Sequence, residues 1–157
     1  MKIREMTEAD LEAVADLEAQ IFSMPWSVQG FADTLRREDV LFLVASEGDR
    51  LLGYVGVYCT ADEGEITNVA VSKEARRRGV GRGLLEALTE ALAKRSIFRI
   101  VLEVRVSNEA AIRLYEQMDF VVAGTRKNFY EKPTEDAYVM VREPEVPYSV
   151  GTPLSLQ

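Results

Sequence analysis

Residues 66 to 95 read ITNVAVSKEARRRGVGRGLLEALTEALAKR, and the order of features inside this stretch decides the fold. The β-branched run from Ile66 to Val71 predicts a strand, and Leu84, Leu85, Leu88, Ala91 and Leu92 recur on one face of a long helix. Between them stands Arg76-Arg77-Arg78-Gly79-Val80-Gly81-Arg82-Gly83, so a strand passes through an arginine- and glycine-rich turn directly into a helix. The first turn of a helix carries backbone N–H groups without intrahelical partners and the positive end of the helix dipole, which makes such a junction a phosphate site. Glycine lets the backbone come close to a pyrophosphate, and neighbouring arginines add charge-assisted hydrogen bonds. Two familiar phosphate motifs fail on spacing. A dinucleotide G-x-G-x-x-G counted from Gly79 meets Leu84 at its last position, and the Gly-Lys-Ser/Thr of a Walker loop is missing. A helix start with a solvated arginine cluster accounts for the same residues without a ligand.

Working outward, the N-terminal side predicts a short strand around Ile3, then Thr7-x-x-Asp10 as a capping box ahead of Leu11, Val14, Leu17 and Ile21 at helical spacing. Pro25 punctuates, Ser27 caps a second short helix through Phe31 and Leu35, and strands follow at Val40 to Ser46 and Leu51 to Thr60. Gly48, Asp49 and Arg50 are expected to form a three-residue hairpin loop, and a turn at Asp62-Glu63-Gly64 leads into the strand from Glu65 to Val71. On the C-terminal side, residues 99 to 106 (RIVLEVRV) predict a buried strand. Ser107-Asn108 then caps a helix with Ala111, Leu114, Tyr115 and Met118 on one stripe. A last strand pair, Phe120 to Arg126 and Ala137 to Val141, is joined by a loop rich in charge and aromatics. Three of the five prolines (Pro144, Pro147 and Pro153) fall beyond Arg142, where apolar residues lose their period, so a loosely held tail is expected there.

The 157 residues suit one domain. No apolar run approaches the ~20 residues of a membrane helix, and the acidic N-terminus does not resemble a signal peptide, so a cytoplasmic protein is expected. A net charge of −7 argues against a nucleic-acid binder and favours a basic partner. The single cysteine, Cys59, sits in an apolar segment and reads as a small buried hydrophobe. Histidine is absent altogether, which removes Ser-His-Asp and Cys-His catalysis and His-ligated metal chemistry. Proton transfer in an enzyme of this composition falls to Glu, Asp, Tyr, Lys or water.

Two residues stand out as candidates. Glu103 interrupts an apolar strand between Leu102 and Val104, and a carboxylate in a partly dry cleft has its pKa raised toward neutrality; an ordinary solvent-facing strand glutamate fits the spacing equally well. Tyr115 lies on the apolar stripe of its helix, as a core tyrosine would, yet it is among the few groups here with a proton to donate at neutral pH.

The order R-x-x-G-x-G at Arg76, Gly79 and Gly81, following ITNVAV, resembles the coenzyme A pyrophosphate loop of the GNAT acetyltransferases, and the likeness extends over Met1 to Glu143. Met24-Pro25-Trp26-Ser27, Asn68-Val69-Ala70-Val71, Leu102-Glu103-Val104-Arg105, Ser107-Asn108 with Tyr115, Asn128-Phe129-Tyr130, Glu135-Asp136-Ala137 and Met140 resemble the RimI-type N-acetyltransferases. Those enzymes modify the N-terminal alanine of a small-subunit ribosomal protein. The resemblance implies an α/β (α+β) GNAT fold: a mixed sheet of about seven strands, four flanking helices, and strands splayed at the acetyl-CoA site. It implies one acetyltransferase domain at 1–143 with a tail at 144–157.

The resemblance further implies that Val69, Ala70 and Val71 offer backbone groups to the pantetheine arm, that Arg77, Arg78, Gly79, Val80, Gly81 and Arg82 hold the pyrophosphate, and that Asn108 reaches the cofactor. Glu103 would be the general base and Tyr115 the general acid for direct attack of an amine on acetyl-CoA, with no metal. The acceptor it implies is a protein N-terminus, of a basic ribosomal protein, met by a monomer without nucleic acid or membrane. An unperturbed α-amine titrates at about 7.7–8.0 against about 10.4 for lysine, so at pH 7 it is easier to deprotonate by roughly 3–4 kcal/mol. Trp26, Phe129, Tyr130 and the pair Glu135-Asp136 could line a groove for a basic peptide; core packing and loop solvation explain them nearly as well. Acetylation of a small amine or of protein lysines, and a coenzyme A-binding module without turnover, are the competing functions. One position departs from the family pattern: Asp119 stands where glycine is usual before a phenylalanine, and a small local cost is expected there.

Overall fold

The computed structural model describes residues 1 to 144, and the expected tail from 144 to 157 lies outside the described residues beyond its first proline. The chain opens with β1 (Lys2–Glu5), a 3-10 turn at Glu8–Asp10, α1 (Leu11–Ile21) and α2 (Val28–Leu35). The antiparallel strands β2 (Val40–Glu47), β3 (Arg50–Cys59) and β4 (Glu63–Val71) follow, then α3 (Val80–Ala93), β5 (Arg99–Arg105), α4 (Glu109–Gln117), β6 (Val121–Tyr130) and β7 (Glu135–Arg142). Local chemistry sets the helix starts. The Asp10 carboxylate accepts from the Thr7 backbone N–H at 2.8 Å and from Arg4 at 2.8 and 2.9 Å, and Ser27 Oγ accepts from the Gly30 N–H at 3.0 Å.

The seven strands form one sheet in the order β1-β2-β3-β4-β5-β7-β6. Only β4 and β5 run parallel, and they pair over just three positions, Glu63 to Glu65 against Arg99 to Val101. Beyond Glu65 the two strands part, and β5 takes β7 as its partner along the rest of its length. The mixed seven-stranded sheet, the four helices and the parting of two central strands match the expected fold.

Two hydrophobic clusters clamp the sheet. On one face α3 lays Leu84, Leu85, Leu88 and Leu92 against Leu52, Val55, Val57, Ile100 and Leu102. Full burial of each such side chain contributes roughly 2 kcal/mol relative to exposure. On the other face Val14, Leu17 and Phe31 of α1 and α2 pack on Phe42, Val44, Tyr54 and Ala70. Inside β4 a bulge leaves Thr67 unpaired, because Asn68 pairs with Gly56 and Ile66 with Val57. One extra residue exchanges the faces of all the residues after it. Ile66 faces the α3 cluster, whereas Asn68 and Ala70 turn toward α1. On β5, Ile100, Leu102 and Val104 face α3 and α4, so the alternation of a strand sends Glu103 and Arg105 to the opposite face.

Three expectations are corrected. The β2–β3 loop has two residues, since Glu47 pairs with Arg50 and Gly48, at φ 60°, supplies the turn that suits the strand twist. The β6 and β7 strands extend to Tyr130 and back from Glu135, leaving only residues 131 to 134 as a loop. Nearly all of β6 is exposed on both faces, so it carries no apolar alternation to read. Cys59 is half-buried at the end of β3 rather than enclosed, although it packs against the α3 cluster.

Asp119 follows α4 with φ 71°, the left-handed geometry for which the family's glycine is built. Asp119→Gly should therefore raise stability by about 0.5–1 kcal/mol. Thermal unfolding, in which Tm would rise by about 1–4 °C for a chain of this size, checks it.

Candidate active site

The parting of β4 and β5 opens a cavity of about 550 Å³ whose walls come from β4 and β5, the α1–α2 connection, the start and body of α4, and the β6–β7 hairpin. Glu103, Tyr115, Asn108 and Val69 all line it. Ala70, Val71 and residues 77 to 82 are not among its walls. Val69, Ala70 and Val71 pair with Val55, Tyr54 and Gly53 along one edge of β4, and their opposite edge faces the gap that β5 has left.

At the turn, Arg77 has φ 65° and Gly79, the residue before α3, has φ 79° with nothing near the place of a side chain. The backbone there winds left-handed twice in three residues, so the first N–H groups of α3 emerge at an open corner. Gly81 also has a packing role that its motif does not suggest. A Cβ there would sit 3.0 Å from Leu114 Cδ2, so this glycine lets α3 and α4 close together beneath the turn. The arginines divide: Arg78 Nη2 lies 2.9 Å from Glu47 Oε2, and Arg82 Nε lies 4.0 Å from Glu86 Oε1. Arg76 donates to the Val71 carbonyl at 3.4 Å.

Asn108 is the N-cap of α4, its Oδ1 accepting from the Ala111 N–H at 3.2 Å. That bond uses the amide oxygen and leaves the NH₂ group available as a donor. Glu103 Oε2 lies 3.4 Å from Arg126 Nε, and burial raises the carboxyl above its ordinary range, with Glu65 pushing the same way and Arg126 opposing. Tyr115 is buried, its ring packed on Phe120, and burial pushes its hydroxyl well up, with Tyr130 adding to the effect. Burial first, and then Glu103, push Tyr130 up to about 12; the Arg105 guanidinium, 4.4 Å above its ring, opposes.

Of the aromatic and acidic groove residues, Trp26, Phe129 and Tyr130 line the cavity. Trp26 also belongs to the aromatic cluster, 5.2 Å from the Phe31 ring. Glu135 and Asp136 do not line it. Glu135 holds Arg105 at 3.1 Å and accepts from the Ser107 N–H at 2.8 Å, while Asp136 accepts from the Asn128 N–H at 2.9 Å, so the acidic pair shapes the hairpin. Glu18, Asn68 and Glu131 are wall residues that sequence reasoning missed, as is Arg126 beside Glu103. Glu18 had a legible signal: it stands seven residues after Leu11 and four after Val14, a charge on the apolar stripe of its helix.

Comparison with known proteins bears on the same arrangement. The family profile described as "Acetyltransferase (GNAT) family" matches residues 11–120. The ribosomal protein bS18-alanine N-acetyltransferase of Escherichia coli K12 is 36% identical over 142 residues, covering 88% of this chain and 94% of that protein. The N-alpha-acetyltransferase RimI of Mycobacterium tuberculosis is 33% identical over 144 residues, covering 88% and 89%. A crystal structure of the ribosomal-protein-S18-alanine N-acetyltransferase from Escherichia coli superposes with a TM-score of 0.84 at 32% identity, over 96% of this chain and 98% of that one. A parted parallel strand pair, an arginine-glycine turn at a helix start and similarity to these enzymes over most of the chain converge: the chain belongs to the GNAT acetyltransferase family and is of the RimI type.

Proposed function

We propose that the chain transfers the acetyl group of acetyl-CoA to the N-terminal α-amine of a protein, the N-terminal alanine of a ribosomal protein being the acceptor carried over from the Escherichia coli relative. The observation that carries this reading is the gap between β4 and β5, with Glu103 and Tyr115 both on the walls of one cavity. The cosubstrate supplies the activated acetyl thioester. Its diphosphate fits the start of α3, where Val80, Gly81 and Arg82 offer backbone N–H groups, Gly79 keeps the approach open, and Arg77 and Arg78 add charge. Val69, Ala70 and Val71 present edge groups suited to the amides of the pantetheine arm, and the amide NH₂ of Asn108, a residue of the cavity wall, would be a further donor to it. A diphosphate would compete with Glu47 for Arg78, a fair exchange because that ion pair is half-exposed.

In this reading Glu103 accepts the proton that the amine nitrogen sheds as the new C–N bond forms and the C–S bond breaks. Tyr115 donates a hydrogen bond, and then its proton, to the departing sulfur. The cavity wall carries Glu18, Glu103 and Glu131 against Arg105 and Lys132, one negative charge in excess, and the chain as a whole carries −7, which favours an incoming basic N-terminal segment. The enzyme acts in the cytoplasm as a monomer. Incubation with acetyl-CoA and a peptide beginning with alanine should add one acetyl group at the α-amine, read by fragment mass spectrometry. Acetylation confined to lysine side chains or to small amines would overturn the acceptor assignment, and acetyl-CoA binding without any turnover would overturn catalysis.

The Arg126–Glu103 pair gives a pH test. Arg126 holds the raised Glu103 carboxyl lower than burial and Glu65 alone would. Arg126→Gln therefore raises the Glu103 pKa further, and activity requires the ionised form, so the acidic limb of kcat/KM moves to higher pH. A profile from pH 5 to 9 checks it, and a limb that stays in place or moves down rejects the assignment of that limb to Glu103.

A further inference from the structure

We infer that Glu18, on α1, is a positioning residue for the acceptor: it holds the α1–α2 connection against β4 and thereby forms the wall that selects the first residue of the incoming chain. The inference rests on the acceptor reading above and adds a group that the transfer chemistry does not use. Glu18 is only 2% exposed. Its carboxylate accepts from three donors on three different segments: the Tyr54 hydroxyl of β3, Asn68 Nδ2 of β4 at 3.3 Å, and the Trp26 backbone N–H at 3.0 Å. No cation approaches it among the described residues. A buried carboxylate held only by neutral donors is costly, and an apolar residue on this stripe would serve packing better. What the carboxylate provides instead is geometry. Met24 and Trp26 are cavity walls, and Trp26 is fastened to the sheet through Glu18 alone among polar contacts of the described residues.

The bulge at Thr67 makes the placement matter. It turns Asn68 to the face on which Glu103 lies, so the Glu18–Asn68 bond fixes the floor of the cavity on the acceptor's side of the sheet, while Val69 and Val71 pack with the α3 cluster. Asn68 Oδ1 is buried and has no hydrogen-bond partner among the described residues. A buried acceptor left open at the foot of this wall is satisfied when a donor arrives with the substrate or a water beside it. The groups that face Glu18 are all neutral donors, and Trp26 and Met24, in the segment that Glu18 ties down, stand on the cavity wall where an incoming first residue would meet them.

The test compares Glu18→Gln, Glu18→Ala and Tyr54→Phe in steady-state kinetics with acetyl-CoA and peptides that begin with alanine or with a bulkier residue. Glu18→Ala should raise the acceptor KM about tenfold, and Glu18→Gln, which keeps an acceptor for the Trp26 N–H, by about threefold. The KM for acetyl-CoA and kcat at saturation should each stay within about twofold, and the preference for alanine should shrink. Unchanged acceptor KM and preference overturn the inference. So does a matched rise in both KM values that follows a fall in Tm, because that pattern belongs to general loosening. Should Glu18→Ala not fold, Tyr54→Phe decides alone: its ring stays packed 5.7 Å from Phe31, and an acceptor KM unchanged by loss of its hydroxyl overturns the inference. A wild-type protein that acetylates no peptide α-amine refutes the proposed function instead, whatever the variants do.

Discussion

Glu103→Gln is expected to lower kcat by about 10²- to 10⁴-fold while leaving the KM for acetyl-CoA nearly unchanged. Glutamine keeps the size of the side chain and cannot accept a proton. At pH 7 only about a tenth of an α-amine with a pKa near 8 is neutral, so the enzyme must remove a proton either before attack or as it proceeds. A carboxylate raised by burial and by Glu65 accepts that proton more readily than a fully solvated one would. The same shift has a sign in stability. Because folding raises the Glu103 pKa, the stability linked to it is full at low pH and is lost as pH rises through the raised value. The glutamine variant lacks that decline, so its Tm at pH 7 should be equal to or above that of the parent. Stopped turnover with an intact Tm and intact acetyl-CoA binding by calorimetry is the expected combination. Activity within a few-fold of the parent would show that Glu103 is a bystander.

How legible each part of the site is in the sequence depends on how that part is built. The strand, turn and helix from Ile66 to Ala93 are readable because the phosphate site proposed there would use consecutive residues. Its chemistry, free N–H groups beside arginines, is written in one dimension. Asn108 is readable as a cap for the same local reason, whereas the strained helix end at Asp119 is legible only against the glycine of the resembling family, and φ 71° there agrees. The side proposed to receive the acceptor is different. Arg126 meets Glu103 only because β6 pairs with β7 and β7 with β5, so their proximity depends on two registers set by tertiary packing. The bulge at Thr67 leaves no mark in a string of apolar and small polar residues, yet it decides which face Asn68 and Ala70 take. Gly81 reads as part of the phosphate approach, and its contact with Leu114 is one that only the packing of α3 on α4 reveals. Glu18 is the exception, visible as a charge on an apolar stripe but without partners until folding brings Tyr54, Trp26 and Asn68 around it.

Tyr115→Phe should reduce kcat by about 10²-fold, the typical cost of losing one donor aimed at charge that develops in the transition state. Phenylalanine retains the packing of this ring on Phe120, 5.7 Å between centroids, so Tm should hold or rise slightly. The physical question is what a tyrosine with so high a pKa can do for a leaving thiolate. A thiol of the cysteine kind has a pKa near 8.5, well below that of the buried phenol, so complete proton transfer from Tyr115 to a relaxed thiolate runs uphill. In the proposed mechanism the hydrogen bond from Tyr115 would be the stabilising interaction while the C–S bond breaks, and the proton would follow as the phenol is resupplied from water. Tyr115 keeps its proton throughout the working pH range, so the loss in Tyr115→Phe should be the same at pH 7 as at pH 9. Tyr130 is the rival donor, for it lines the same cavity and its hydroxyl, pushed up to about 12, also stays protonated. Arg105 stacks on its ring and Glu103 lies near enough to contribute to its shift, which groups Tyr130 with the proposed base and so with the proposed acceptor side of the site. Tyr130→Phe should therefore change the acceptor KM more than kcat. A large fall in kcat there, with Tyr115→Phe nearly silent, would transfer the donor role to Tyr130 and leave Tyr115 as a packing residue of α4.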